Sequence, residues 1–291
     1  MFLINFLFII QSSFAQSTPA ITKFCEKMDE KFNLYKWGPS ECMSFQWNHI
    51  RNSHLGTPLA WVTFGPETPP ANENTTLVLC GVHGDEITPV KFCWDLIREL
   101  KKNPPPQDKQ IVIVPLVTPD SFFVTKPSRT NGRGVDVNRN FPTKDWKSDA
   151  HKRWHSHYKK DRRKFPGHSA GSEQETVFQM NLIKRYKPNK VVSVHAPLTL
   201  LDYDGPSLTA KEGKDAKMLL EQMSKKSSGY KISNYPMFPG SLGNWAGKEH
   251  HIPTYTLELP NSNPSETDKF WQLFKDSVLY AIDIKMKPTV D

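Results

Sequence analysis

The chain has 291 residues, 37% hydrophobic and 23% charged, with a formal net charge of +8. That balance excludes a disordered polymer, and its length allows one large domain or two small ones. No internal apolar run approaches the ~20 residues needed to span a bilayer.

Met1 to Ala15 is almost wholly apolar up to Ile10, then turns small and polar. An apolar stretch of this size ending at a small residue predicts a signal peptide over residues 1–15, cleaved after Ala15, although no Lys or Arg precedes it. The mature chain then begins at Gln16, and the expected location is periplasmic or secreted. Residues 16–50 read as an irregular N-terminal extension wrapped onto a domain covering 51–291. Four cysteines remain after cleavage, and export permits disulfides among them. Cys25 and Cys42, both in the extension, form the better pair. Cys80, in a predicted strand, and Cys93, in the helix after it, are expected as buried thiols. A basic surface on an exported protein suits an anionic wall polymer or anionic lipid better than nucleic acid, although clusters such as Arg162-Arg163-Lys164 are equally readable as solvated loop charges.

Apolar, β-rich runs predict strands over 76–82, 111–117, 190–194 and 254–259. Between and after them, helices are expected over 88–102, 175–187, 214–226 and 267–284. Strands alternating with helices predict an α/β domain with a mixed, mostly parallel sheet flanked by helices. Pro104-Pro105-Pro106 reads as a stiff connector, and the polar stretch 143–171 as a loop or irregular insertion over the site. No internal repeat is present.

The first predicted strand runs into His83-Gly84-Asp85-Glu86. Ligands collect at the carboxyl ends of strands in open α/β sheets, and an imidazole and a carboxylate three residues apart can turn to one point. A catalytic zinc takes three protein ligands and leaves a place for water. His195, at the end of Val191-Val192-Ser193-Val194, supplies the third. His151, His155, His157, His250 and His251 end no apolar strand and are set aside. Glu258 is a carboxylate inside the last apolar strand, where burial is costly unless the group is paired or functional. Either it serves as a general base or it faces outward on the alternating strand.

Together these segments resemble the zinc carboxypeptidase family over nearly all of residues 55–290. The resemblance implies one zinc held by His83, Glu86 and His195, with Glu258 as catalytic base. It implies that Asn138 and Arg139, in Gly134-Val135-Asp136-Val137-Asn138-Arg139-Asn140-Phe141, bind the substrate's terminal carboxylate. Arg129 matches the arginine that stabilises the oxyanion, with Arg133 close enough to compete for the role. Tyr235 fits the family's mobile tyrosine. Leu242 stands where side-chain specificity is set, and offers no acidic partner there. Gly171-Ser172-Glu173-Gln174-Glu175-Thr176, Pro239-Gly240-Ser241-Leu242-Gly243-Asn244-Trp245 and Thr256-Leu257-Glu258-Leu259-Pro260 are similar to segments of the murein tripeptide amidases. That likeness implies cleavage between γ-D-glutamate and meso-diaminopimelate in peptidoglycan stem peptides, and the export signal sets the chain apart from the cytoplasmic amidases. The competing readings are an exported carboxypeptidase for protein C-termini and a non-catalytic wall-binding protein. The last is disfavoured because no ligand or catalytic position is substituted.

Overall fold

A computed structural model describes residues 18–66, 74–209 and 213–286; the expected signal segment, residues 1–15, lies outside them. Helix α1 (Pro19–Tyr35) opens with Thr18 as N-cap and Pro19 at its first position, which needs no N–H there. The expectation of an irregular extension is therefore corrected: Ile21, Phe24, Cys25, Met28 and Phe32 recur at helical spacing and bury one face of α1 in the core. Strands β1 (Trp47–Asn52) and β2 (Pro58–Phe64) follow, then β3 (Thr75–Leu79), α2 (Ile87–Lys102) and β4 (Gln110–Val114). After short α3 (Pro119–Phe122) and α4 (His151–Ser156) come α5 (Gln174–Tyr186), β5 (Lys190–His195), β6 (Leu200–Asp204), α6 (Lys214–Lys226), β7 (Thr254–Glu258) and α7 (Thr267–Asp283).

The strands form one mixed sheet in the order β1-β2-β4-β3-β5-β7-β6. Its centre, β4-β3-β5-β7, is parallel, and antiparallel β1, β2 and β6 complete the edges. Parallel strands need crossover connections, and the segments carrying α2, α5 and α6 supply them. The predicted single α/β domain with a mostly parallel core and flanking helices is what forms.

Because side chains alternate across a strand, each strand feeds two layers. On one face Ala60, Val62, Val78, Ile111, Ile113, Val192, Val194, Tyr255 and Leu257 pack against α1, α2, α6 and α7. On the other, Leu59, Trp61, Leu77, Leu79, Val112, Val114 and Val191 pack against α5 through Phe178, Leu182 and Tyr186. Trp61 there donates its indole N–H to the Tyr186 hydroxyl at 2.9 Å, so the buried polar tips are paired.

Two disulfides are present. Cys25–Cys42 ties α1 to the turn before β1, as expected. Cys80 and Cys93 are also joined, which corrects the expectation of buried thiols. β3 ends one residue before Cys80, and Cys93 faces inward from α2, so the loop between them brings their Cα atoms to 6.2 Å, a bridgeable separation. Both residues remain fully buried, so burial alone could not tell a thiol from a half-cystine. Among the described residues no helix is long and apolar enough to cross a membrane.

Candidate metal centre and substrate cleft

The sheet's carboxyl edge builds the site. β3 stops at Leu79 instead of running to Val82, because Cys80–Glu86 leave the sheet as a loop that ends at the first turn of α2. His83 and Glu86 sit on that loop. His195 is the last residue of β5 and pairs in register with Glu258, the last of β7. The chain then turns through a cis Ala196–Pro197 bond, and the Leu198 N–H donates to Glu258 Oε2 at 3.2 Å.

His83 Nδ1 lies 2.7 Å from Glu86 Oε1, and His195 Nδ1 lies 2.8 Å from Glu86 Oε2. One potential ligand atom from each of the three lies within 4.8 Å of the others, and all three residues are buried. The second nitrogen of each ring is already engaged. His83 Nε2 meets Asp136 Oδ1 at 3.1 Å, and His195 Nε2 meets Ser193 Oγ at 2.9 Å. Outer partners of this kind fix which nitrogen faces a metal. Two convergent imidazole Nδ1 atoms and one carboxylate form a donor set that fits a single zinc with room for water. Among the described residues no other His, Cys, Asp and Glu converge in this way. His250, for example, packs on the Trp245 ring at 4.4 Å.

Electrostatics keep the two buried carboxylates of the cluster ionised. Burial alone would raise the Glu86 carboxyl, but the His83 and His195 rings outweigh it and hold it well below the usual range. Asp136 behaves alike: burial opposes its charge, yet Arg129 and His83 pull it well down. Arg129 donates from Nε to Asp136 Oδ2 at 2.9 Å and reaches Glu86 Oε1 at 3.4 Å. Glu258 differs. Burial dominates there and raises its carboxyl, only partly offset by His195.

All nine residues singled out in the sequence line one cleft of about 370 Å³, a size suited to a small ligand. Asn138 accepts the Leu242 N–H at 2.8 Å through Oδ1, which leaves its amide NH₂ to donate. Arg139 is buried, stacks on the Phe238 ring at 4.2 Å, and has no hydrogen-bond partner for its Nε among the described residues. A guanidinium fork in the cleft lining suits a bidentate carboxylate. Tyr235 is 40% exposed at the rim and Leu242 is buried in the wall. Arg163 and Lys164, from the long polar stretch, also line the cleft. Arg133 does not line it; its Nε lies 3.9 Å from Glu173.

Sequence reasoning missed Asp136, Ser193, Asp202 and Asp204. Each had a signal: a polar residue at an alternate position of an otherwise apolar run. Asp136 also stood between two valines in the quoted Asn-Arg segment.

Comparison with known proteins accords with this geometry. Residues 44–276 match the family model described as zinc carboxypeptidase. Murein peptide amidase A of Escherichia coli K12 is 32% identical over 223 residues, covering 76% of this chain and 84% of that protein. The Vibrio campbellii protein of that name is 29% identical, covering 72% and 77%. The crystal structure of a murein-tripeptide amidase from Escherichia coli O157 superposes with a TM-score of 0.59 at 30% identity, over 81% of this chain and 93% of that one. Carboxypeptidase A from Helicoverpa armigera shares the fold at a TM-score of 0.66 and 16% identity, over 90% of this chain and 72% of that one. With its buried His-Glu-His cluster set at the strand ends, this chain belongs to the zinc carboxypeptidase family.

Proposed function

We propose that the chain is an exported zinc metallohydrolase that removes the terminal meso-diaminopimelate from peptidoglycan tripeptide stems, cutting the γ-D-glutamyl bond. The observation that carries this reading is the shared cleft. A His83–Glu86–His195 metal cluster opens into a space lined by the Arg139 guanidinium and the buried Glu258 carboxyl. The likeness to murein peptide amidases supports the substrate class, and in a lining of mixed charge Arg139 and Lys164 offer donors to the carboxylates of a stem peptide.

Residues 1–15 act as the export signal in this reading, residues 16–50 as an extension, and 51–291 carry the chemistry. Zinc, when bound, polarises the scissile carbonyl and lowers the pKa of a water. Asn138 and Arg139 grip the terminal carboxylate, which fixes the scissile bond relative to the cluster. Glu258 takes a proton from the attacking water and hands it to the departing amine. Arg129 donates to the oxygen on which negative charge develops, and Asp136 holds the guanidinium in place. Tyr235 closes over the bound peptide at the rim, and Leu242 lines the wall.

The test is digestion of purified muropeptides followed by mass spectrometry, with an unmodified protein C-terminus alongside. Release of free diaminopimelate from tripeptides, with amidated and longer stems spared, is the expected result. Efficient release of ordinary L-residues, with the tripeptide untouched, would replace this reading with that of an exported carboxypeptidase for protein C-termini.

A further inference from the structure

The segment Asp161-Arg162-Arg163-Lys164-Phe165-Pro166 is tied at both ends to parts of the site already described. Asp161 caps a single turn over Arg162–Lys164 by accepting the Arg163 N–H at 2.9 Å. The Arg163 guanidinium donates to Asp85 Oδ2 at 2.6 Å, in the loop between His83 and Glu86. On the other side the Phe165 carbonyl accepts the Asp136 N–H at 2.8 Å, and the Pro166 carbonyl accepts from Asn140 Nδ2, also at 2.8 Å. Lys164 is thereby held between the metal loop and the loop that carries Asn138 and Arg139, and it lines the cleft.

The cations of that lining have different commitments. Arg129 is engaged by Asp136 and Glu86, and Arg163 by Asp85. Arg139 faces the terminal carboxylate in the reading above. Lys164 feels one carboxylate, Asp136, which already holds Arg129 and meets His83. Its other charged neighbours are Arg129, Arg139 and Arg163, and burial together with these three lowers its amine to about 8. The group still carries its proton at neutral pH. An ammonium set among three guanidiniums is disfavoured until an anion joins it, and a substrate carboxylate would supply that anion.

The position selects which carboxylate. Lys164 immediately precedes the residue bonded to Asp136, and Asp136 in turn holds Arg129. Arg129 is also the strongest of the charges acting on the Lys164 ammonium. The ammonium therefore belongs to the side of the scissile carbonyl, not to the far side of the terminal residue.

We infer that Lys164 binds a second substrate carboxylate, carried by the residue before the scissile bond and separated by three carbons from the carbonyl that is attacked. The inference rests on the peptidase reading of the cleft and deepens it: a γ-linked glutamate holds its free α-carboxylate at that spacing. An α-linked glutamate holds its side-chain carboxylate at the same spacing, so the site can be tested under either reading of the substrate.

Two substrate pairs test it, on zinc-loaded parent and Lys164→Met proteins. One is the tripeptide L-alanyl-γ-D-glutamyl-meso-diaminopimelate against the same tripeptide with the glutamate α-carboxylate amidated. The other is an ordinary peptide with glutamate next to its C-terminal residue against one with glutamine there. Within the pair that is cut, the free acid should be favoured by roughly 10–10²-fold in kcat/KM, the scale of one hydrogen bond to a charged group. Lys164→Met should bring that ratio toward one, with zinc content reporting that the variant is folded. Equal cleavage of the two tripeptides, or a ratio unchanged in Lys164→Met, would overturn the site and leave the peptidoglycan reading standing. A glutamate preference among ordinary peptides, with both tripeptides uncut, would retire that reading and keep the site. A tripeptide amidated only at the distal carboxylate of diaminopimelate should keep the parent's rate advantage; if Lys164→Met instead abolishes a preference for that distal carboxylate, the assignment to the preceding residue is wrong. If no peptide is cut, calorimetric affinities of both proteins for the same pairs decide, and equal affinities contradict the site.

Discussion

One face of the sheet is built in two ways, and the contrast locates the function. On the β2-β4-β3 half it carries Leu59, Trp61, Leu77, Leu79, Val112 and Val114, sealed beneath α5. On the β5-β7-β6 half the same face carries Ser193, His195, Thr254, Thr256, Glu258, Asp202 and Asp204, and it lines a cleft. The reverse face of that half keeps Val192, Val194, Leu201, Tyr203, Tyr255 and Leu257 in the core. The sheet therefore keeps its stability on one side and spends half of the other on chemistry. The changeover falls within β5, where Val191 is core and Ser193 and His195 are site.

The largest expected effect breaks the polar half. His83→Ala or His195→Ala removes one of three ligands from a buried cluster, so zinc and hydrolysis should both be lost, as read by elemental analysis and peptide assay. A variant of either kind that keeps full zinc would remove that histidine from the metal site. Substituting on the apolar half should do the opposite. Leu77→Ala should cost about 2–5 kcal/mol of stability by urea denaturation while leaving zinc content and kcat/KM near those of the parent. A large loss of kcat/KM in a folded Leu77→Ala protein would show that the two halves are not separable.

Asp136→Asn sharpens the comparison within the polar half. Asp136 orients His83 from its second nitrogen and holds Arg129, so zinc affinity should fall by ~10–100-fold in a competition titration with a chelator. Unchanged affinity would reduce Asp136 to an anchor for Arg129. The smallest effect belongs at the far end of β5, where Lys190 is buried with Nζ donating to Asn74 Oδ1 at 2.8 Å and the Ile284 carbonyl at 2.7 Å. Burial, assisted by Lys109, lowers its amine to about 7. The folded state thus favours the neutral amine while the unfolded chain still binds a proton. Its contribution to stability is greatest above the ordinary lysine range, falls as pH drops toward about 7, and is constant below that. Comparing denaturation of the parent and Lys190→Met at pH 9.5 and pH 7 should show the parent losing ground at the lower pH. A pH-independent difference would contradict the shift.

The sequence was legible where pattern and length agreed. Ile87–Lys102, Lys214–Lys226 and Thr267–Asp283 fall within a residue of the expected helices, and β5 and β7 within one residue of the expected strands. β2 and β6 were not legible. β2 begins at Pro58, which argues against a strand, and tolerates it because the Pro sits at the strand's first position. β6 carries Asp202 and Asp204, residues that depress β-propensity and line the cleft. The metal cluster was readable because His83, Glu86 and His195 each end an apolar run. The charges that hold it were not. Asp136 meets His83 from 53 residues away, and only the folded loop brings the two together. The same holds for Cys80 and Cys93, whose pairing depends on how tightly β3 turns into α2.

The most direct measurement loads purified parent and Glu258→Gln proteins with zinc and determines metal content and turnover on the same samples. Glu258 faces the cleft beside the cluster and is not among the three converging ligands. About one zinc per chain is expected in both proteins, with turnover of the variant lower by ~10²–10⁴-fold, the contribution of a positioned acid–base group. Loss of zinc from Glu258→Gln would mean that it is a ligand, and near-normal turnover in the zinc-loaded variant would contradict the claim that the polar half-face is a hydrolytic centre run by Glu258.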